Sequence, residues 1–209
     1  KDNIATGDGG AFTVGVGSLS ITNGLIIGNS GDNGSAFSMY DGSSVNLMNV
    51  TIADNSGDGV LHLDGSTVSA TNSIFLGDNE IGQTLGFSAT YSLIEGGLDG
   101  TGNIDADPLF CNADSSDFTL YDTSPCVGTG EGGANMGAYG VGCYLDLVIN
   151  EFMPNPSGSD GGKEWLEIVN VSGDSINING YVLRGSGGEE EYTVNQDIYI
   201  QPGEYFVLG

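Results

Sequence analysis

The sequence predicts an all-β chain: a right-handed parallel β-helix of about four to five coils over residues 1–143, then an incomplete β-sandwich over residues 144–209. Three observations carry this reading. Alternating apolar segments recur every 23 to 26 residues, no stretch shows a helical period, and near residue 144 the composition changes to strands at sandwich spacing.

The repeat sets out each coil. Asn23, Asn49 and Asn72 each follow an alternating stretch (Leu19 and Ile21, Val45 and Leu47, Val68 and Ala70), and a large apolar residue stands three positions after each: Ile26, Ile52 and Phe75. Earlier in each unit Phe12, Phe37 and Leu61 recur, followed two positions later by Val14, Met39 and Leu63. Turn-forming clusters at 7–10, 31–34, 56–59 and 76–79 separate the segments, so each unit holds three short strands. A shortened fourth coil fits Ala89 to Ile94, displaced by 19 from Ala70 to Phe75. Stacking such units aligns like residues in columns: apolar ones fill the core, and Asn23, Asn49 and Asn72 are expected to form an inward ladder at a bend. At about 4.8 Å per coil the stack is about 20 Å tall.

Charge narrows the function. The 209 residues carry 28 acidic and 3 basic side chains, a net charge of −25, and residues 2–162 contain no Lys or Arg. Nothing is present to neutralise phosphates, so nucleic acid is excluded as a partner. No apolar run approaches the length of a membrane span, and no membrane insertion is expected in this segment. The surface suits a medium in which salt or divalent cations screen carboxylates. Any export signal lies outside the chain, which shows neither an initiator Met nor a leader. Cys111, Cys126 and Cys143 lack metal-site spacing, so one disulfide plus one further thiol is expected, with three pairings open.

Specific motifs sharpen the picture. Gly9-Gly10-Ala11-Phe12 with Ile26-Ile27-Gly28-Asn29, and Gly34-Ser35-Ala36-Phe37 with Ile52-Ala53-Asp54-Asn55, resemble the repeat pairs of polymorphic outer-membrane-type bacterial β-helix surface proteins. The stretch from Gly102 through Asp107-Pro108-Leu109-Phe110, with Ser124-Pro125-Cys126 and Met136-Gly137-Ala138-Tyr139-Gly140, is similar to the closing segment of secreted bacterial pectin-lyase-like helices. In such relatives a Cys after Pro-Leu-Phe accompanies one after the final Gly-x-Gly, so the resemblance implies pairing of Cys111 with Cys143. Residues 147–209 resemble the bacterial form of the lamin-tail domain, an immunoglobulin-like β-sandwich, through Ile149-Asn150-Glu151, Glu164-Trp165-Leu166-Glu167 and Gly180-Tyr181-Val182-Leu183. Such a domain continues for several more strands, and residues 1–10 contain no capping helix. Both ends are therefore expected to meet further domains of a longer polypeptide or neighbouring protomers.

The pectin-lyase-like architecture raises the question of catalysis. Lyases need a base and cations that this helix lacks, and lyase chemistry is disfavoured. Glycosidases need paired carboxylates, for which Asp54, Asp58, Asp64 and Asp78 are candidates, yet all four fall in Gly-rich turns. His62 shares an outward row with Thr13 and Ser38, and no catalytic residue is assigned. No cofactor is required. Ca²⁺ is the cation that acidic turns would accept, with Asp105, Asp107 and Asp160 as candidate ligands, although no recognised calcium-loop spacing occurs. Trp165 reads as core or half-buried rather than as a sugar platform, and Glu189-Glu190-Glu191 as a solvated hairpin tip. Sequons begin at Asn33, Asn49 and Asn170.

The expected function is a non-enzymatic structural or adhesive module of an exported bacterial cell-surface or extracellular protein. The alternatives are a carbohydrate-binding or glycosidase-type β-helix, with glycans as partners, and a protomer of an extracellular filament.

Overall fold

The structure, a computed structural model, describes residues 1–77, 85–153, 164–184 and 191–209. The chain divides into two units, Lys1–Cys143 and Tyr144–Gly209.

The first unit is a parallel β-solenoid. Ile4–Ala5, Ser30–Gly31 and Ser56–Gly57 stack as one sheet, and Phe12–Val14, Phe37–Met39 and Leu61–Leu63 as a second. The third joins Ser18–Ile27, Ser44–Ala53, Thr67–Thr71 with Ile74–Phe75, and finally Phe87–Thr90 with Leu93–Ile94. An isolated bridge from Leu93 to Ile104 marks a further winding. The register follows the repeat: Leu19, Val45, Val68 and Phe87 form one column, Ile26, Ile52, Phe75 and Ile94 another. Of these, every residue beyond the first coil is buried. Gly34 shows how tightly the turns pass over the next coil. A Cβ there would stand 2.8 Å from the backbone nitrogen of His62, and its φ of +78° suits glycine.

The inward asparagine ladder is not the expected one. Asn23, Asn49 and Asn72 have φ of 54°, 52° and 51°, left-handed values that Asn tolerates, and Tyr91 takes the same conformation in the fourth coil. This bend resets the strand alternation and turns the side chains outward, leaving Asn23 exposed and Asn49 half-buried. The interior ladder is Asn29 and Asn55, one coil apart, and the exposed Asn3 of the first coil extends it by donating to Asn29. Asn29 and Asn55 are buried and donate to the carbonyls of Ile27 and Ala53 respectively. A serine column joins them on another corner: the Val50 amide donates to Ser73 Oγ, and the Ser73 amide to Ser92 Oγ.

Residues 107–143 do not stack as a further coil. They form a strap along the outside of the third sheet, because Leu25, Ile27, Ala53, Ile74, Leu76 and Leu93 give that sheet a second apolar face. Phe110 and Phe118 cover Ile27 and Ala53, while Leu120, Cys126 and Met136 cover Ile74 and Leu93. The Cys111–Cys143 disulfide, with Cα atoms 5.9 Å apart, fastens the strap's small sheet, as the resemblance implied.

The second unit is all β. Leu147–Met153, Trp165–Asn170 and Tyr205–Leu208 form an antiparallel sheet, and two short pairs, Ile176–Asn177 with Tyr199–Ile200 and Val182–Arg184 with Glu191–Thr193, complete it. Its core is Ile168, Ile178, Val194 and Ile200. Asn170 is fully buried at the end of its strand, where its amide nitrogen donates to the carbonyls of Asp174 and Ile200, both at 2.7 Å.

Candidate functional site

Among the described residues, four places gather side chains able to do chemistry. The first lies on the outer surface of the second solenoid sheet, where strand pairing sets Thr13, Ser38 and His62 in one row. Ser38 Oγ donates to the Tyr40 hydroxyl at 2.8 Å, which donates in turn to Asp8 Oδ1 at 2.8 Å. The half-buried His62 ring rests 5.5 Å from the Tyr40 ring. The Ser38 bond favours the phenolate, but the hydrogen bond to Asp8, burial and the charges of Asp8 and Asp64 outweigh it, so the Tyr40 phenol stands above its ordinary pKa. It stays a proton donor at neutral pH. Thus His62 faces outward as expected, packed against an aromatic ring.

The second place holds the candidate calcium ligands. Asp105 Oδ1 accepts the Gly96 amide at 3.3 Å, and Asp107 Oδ1 accepts the Leu109 amide at 2.9 Å. Asn103, two residues before Asp105, accepts the Ser92 amide and donates to the carbonyls of Ala89 and Leu98. Each oxygen therefore holds a separate turn, and among the described residues no three His, Cys, Asp or Glu side chains converge as a metal cluster. Asp160 lies outside the described residues, as do Asp78, Glu189 and Glu190. Asp54, Asp58 and Asp64 sit exposed at successive corners of the solenoid.

The third is the strap. Cys126 is fully buried among Ile74, Leu93 and Met136, and burial raises its thiol to about 11 despite the bond with Ser124. At neutral pH it is protonated and unreactive. The strap grips the coils by backbone donors: the Glu131 amide donates to Asn72 Oδ1 at 2.6 Å, and the Ala138 amide to Thr51 Oγ1 at 2.9 Å. Sequence reasoning missed these roles of Asn72 and Thr51, although the unbroken apolar run Leu25-Ile26-Ile27 announced a sheet covered on both faces.

The fourth is in the second unit, a groove of about 710 Å³ lined by Ile149, Phe152, Trp165, Leu183, Tyr192 and Leu208. Trp165 is half-buried beside Met153 of the paired strand, and at the rim Arg184 Nε lies 2.9 Å from Glu191 Oε1. Of the sequons, the Asn170 side chain is spent on the interior, Asn49 is half-buried and Asn33 is exposed in its turn.

Comparison with known proteins bears on the second unit alone: residues 144–209 match the Lamin Tail Domain family. No curated protein and no solved structure matches the chain.

Proposed function

We propose that the chain is a non-enzymatic structural module of an exported protein, displayed at a cell surface or in the extracellular space, where it supports adhesion. The observation that carries this is the use made of its reactive groups. Asp105 and Asp107 hold backbone amides, Cys111 and Cys143 are tied in a disulfide, and Asn3, Asn29, Asn55 and Asn72 bind coils or strap. The solenoid and the lamin-tail match both speak for a structural module, and the disulfide suits an oxidising compartment. Ca²⁺ is a candidate ligand of the acidic turns rather than a required cofactor.

A carbohydrate-binding reading draws on the Asp8, Tyr40 and His62 group. One experiment separates the two: the full chain is immobilised, exposed to a panel of acidic and neutral polysaccharides, and assayed both for retention and for new reducing ends. The structural reading expects no cleavage and no retention that depends on this group, whereas retention lost in Asp8→Asn would favour carbohydrate binding there. Cleavage that disappears in Asp8→Asn or Asp64→Asn would replace the structural reading with a glycosidase.

A further inference from the structure

Before the bend at Asn23, Asn49, Asn72 and Tyr91, the third solenoid sheet has an outward face that the strap leaves open. Strand pairing runs in register from Ser18–Ile27 through Ser44–Ala53 and Thr67–Thr71 to Phe87–Thr90. One outward column is Ser20, Asn46, Ser69 and Ser88, all exposed. The next is Thr22, Met48, Thr71 and Thr90, in which Thr71 is half-buried and Met48 is 50% exposed. Residues 18–22, 44–48, 67–71 and 87–90 contain no charged side chain, in a chain of net charge −25, and their one aromatic residue, Phe87, is buried in the core. The face is thus a neutral array of hydroxyls and methyls on an anionic molecule.

Bonds along the columns hold the array to the coil repeat. Ser69 Oγ donates to Asn46 Oδ1, and Thr71 Oγ1 lies 3.4 Å from Thr90 Oγ1. A hydroxyl has one donor and two acceptor positions, so one bond along the column leaves capacity facing outward. Successive coils are about 4.8 Å apart, and successive outward side chains on one strand about 6.6 Å. Waters joined tetrahedrally at about 2.75 Å place second-neighbour oxygens about 4.5 Å apart and equivalent layers about 7.3 Å apart. The mismatch between coils is about 0.3 Å per step, so four strands stay within about 1 Å of such a lattice; along the strand it is about 0.7 Å, over two steps only. A carboxylate or ammonium would draw these waters into its own hydration shell. Hydroxyls donate and accept as water does, and the methyls beside them leave neighbouring waters bonded to one another.

We propose that this face adsorbs to the surface of ice, with the two hydroxyl-bearing columns set along rows of its oxygens. The proposal goes beyond the structural reading above and names a solid that this module holds. Charge and area select the occupant. A neutral array on a chain of −25 suits a neutral surface, whereas a second copy would bring the carboxylates at the coil corners against one another. The array spans only about 300 Å², against about 800 Å² per partner in a stable protein complex. A crystalline polysaccharide presents sugar rings that pack on aromatic side chains, and neither column holds one. An ice front, by contrast, meets every point of the array with the same repeating donor and acceptor.

The test grows polycrystalline ice slowly on a cold surface from a solution of the full chain and compares the protein in the ice with that left in the liquid. The native chain is enriched in the ice at least about tenfold over an acidic protein of equal size that ice rejects. Ser69→Lys, at the centre of the array, falls to the level of that control. Thr13→Lys makes the same change of charge at an exposed outward position of the second sheet and keeps the native uptake. Thr90→Lys repeats the loss on the last strand, and far-UV circular dichroism with the melting temperature verifies the fold of each variant. Rejection of the native chain by ice, undiminished uptake of both Ser69→Lys and Thr90→Lys, or equal loss in Thr13→Lys overturns the proposal. Retention on crystalline cellulose or chitin without uptake into ice also overturns it, as does a self-associated species in sedimentation that Ser69→Lys disperses. No arm uses polysaccharide cleavage or Asp8, so failure here is distinguishable from failure of the structural reading.

Discussion

Asn29 and Asn49 show how much a single position depends on which way its backbone turns. Both were legible as repeat positions, yet the alternation pattern assigns the inward ladder to the Asn49 column. A left-handed φ is invisible to periodicity, and it is this bend that carries the Asn49 column outward and leaves the interior to Asn29. The consequence is quantitative. Asn29→Ala removes the acceptor for two Asn3 donors and the donor to the Ile27 carbonyl in a buried setting, and costs about 2–3 kcal/mol. Asn49→Gly gives up one exposed bond to Asn23, removes a buried Oδ1 that has no partner, and suits φ of 52°; its effect stays within about 1 kcal/mol of zero. Urea unfolding of the full chain measures both. A larger loss at Asn49 than at Asn29 would show that the two columns have been interchanged.

At the scale of elements, the three-strand coil and its columns could be read from the 23- to 26-residue repeat, because stacked strands demand like residues at like places. The strap could not, since its contacts with the coils join residues as far apart as Ile27 and Phe118 and nothing in its own spacing says where it lies. Its fastening is testable through Cys126, a thiol whose burial depends on the strap staying docked. Replacing Cys111 and Cys143 with Ser opens a loop closed across 32 residues and lowers stability by about 3–4 kcal/mol. In the native chain Cys126 resists a water-soluble thiol reagent at neutral pH; in the double variant its labelling accelerates while far-UV circular dichroism still reports β structure. Labelling at the native rate would mean that the strap holds without its disulfide, through Phe118, Met136 and the Asn72 contact alone.

The whole molecule carries a net charge of −25, and in the solenoid unit Lys1, which lies 3.5 Å from Asp2, is the only basic side chain apart from His62. Carboxylates on successive corners, such as Asp8, Asp32, Asp58 and Asp64, are separated by a few coil spacings. Their mutual repulsion therefore extends through the stack when the Debye length is about 30 Å at 0.01 M salt, and is cut to near neighbours at about 8 Å in 0.15 M. Folding concentrates these charges relative to the expanded chain, so screening favours the folded state. The melting temperature should rise most steeply between those two salt concentrations and flatten beyond them. Millimolar CaCl₂ adds a further rise over NaCl of equal ionic strength if carboxylate pairs bridge the ion, and binding to the folded state alone would stabilise it by mass action. Asp105→Asn and Asp107→Asn locate the effect: loss of the calcium increment in either places the ion at that corner, and an increment unchanged in both moves it to other acidic turns. A melting temperature that stays flat from 0.01 to 0.15 M salt, with and without calcium, would show that the acidic surface does not strain the fold.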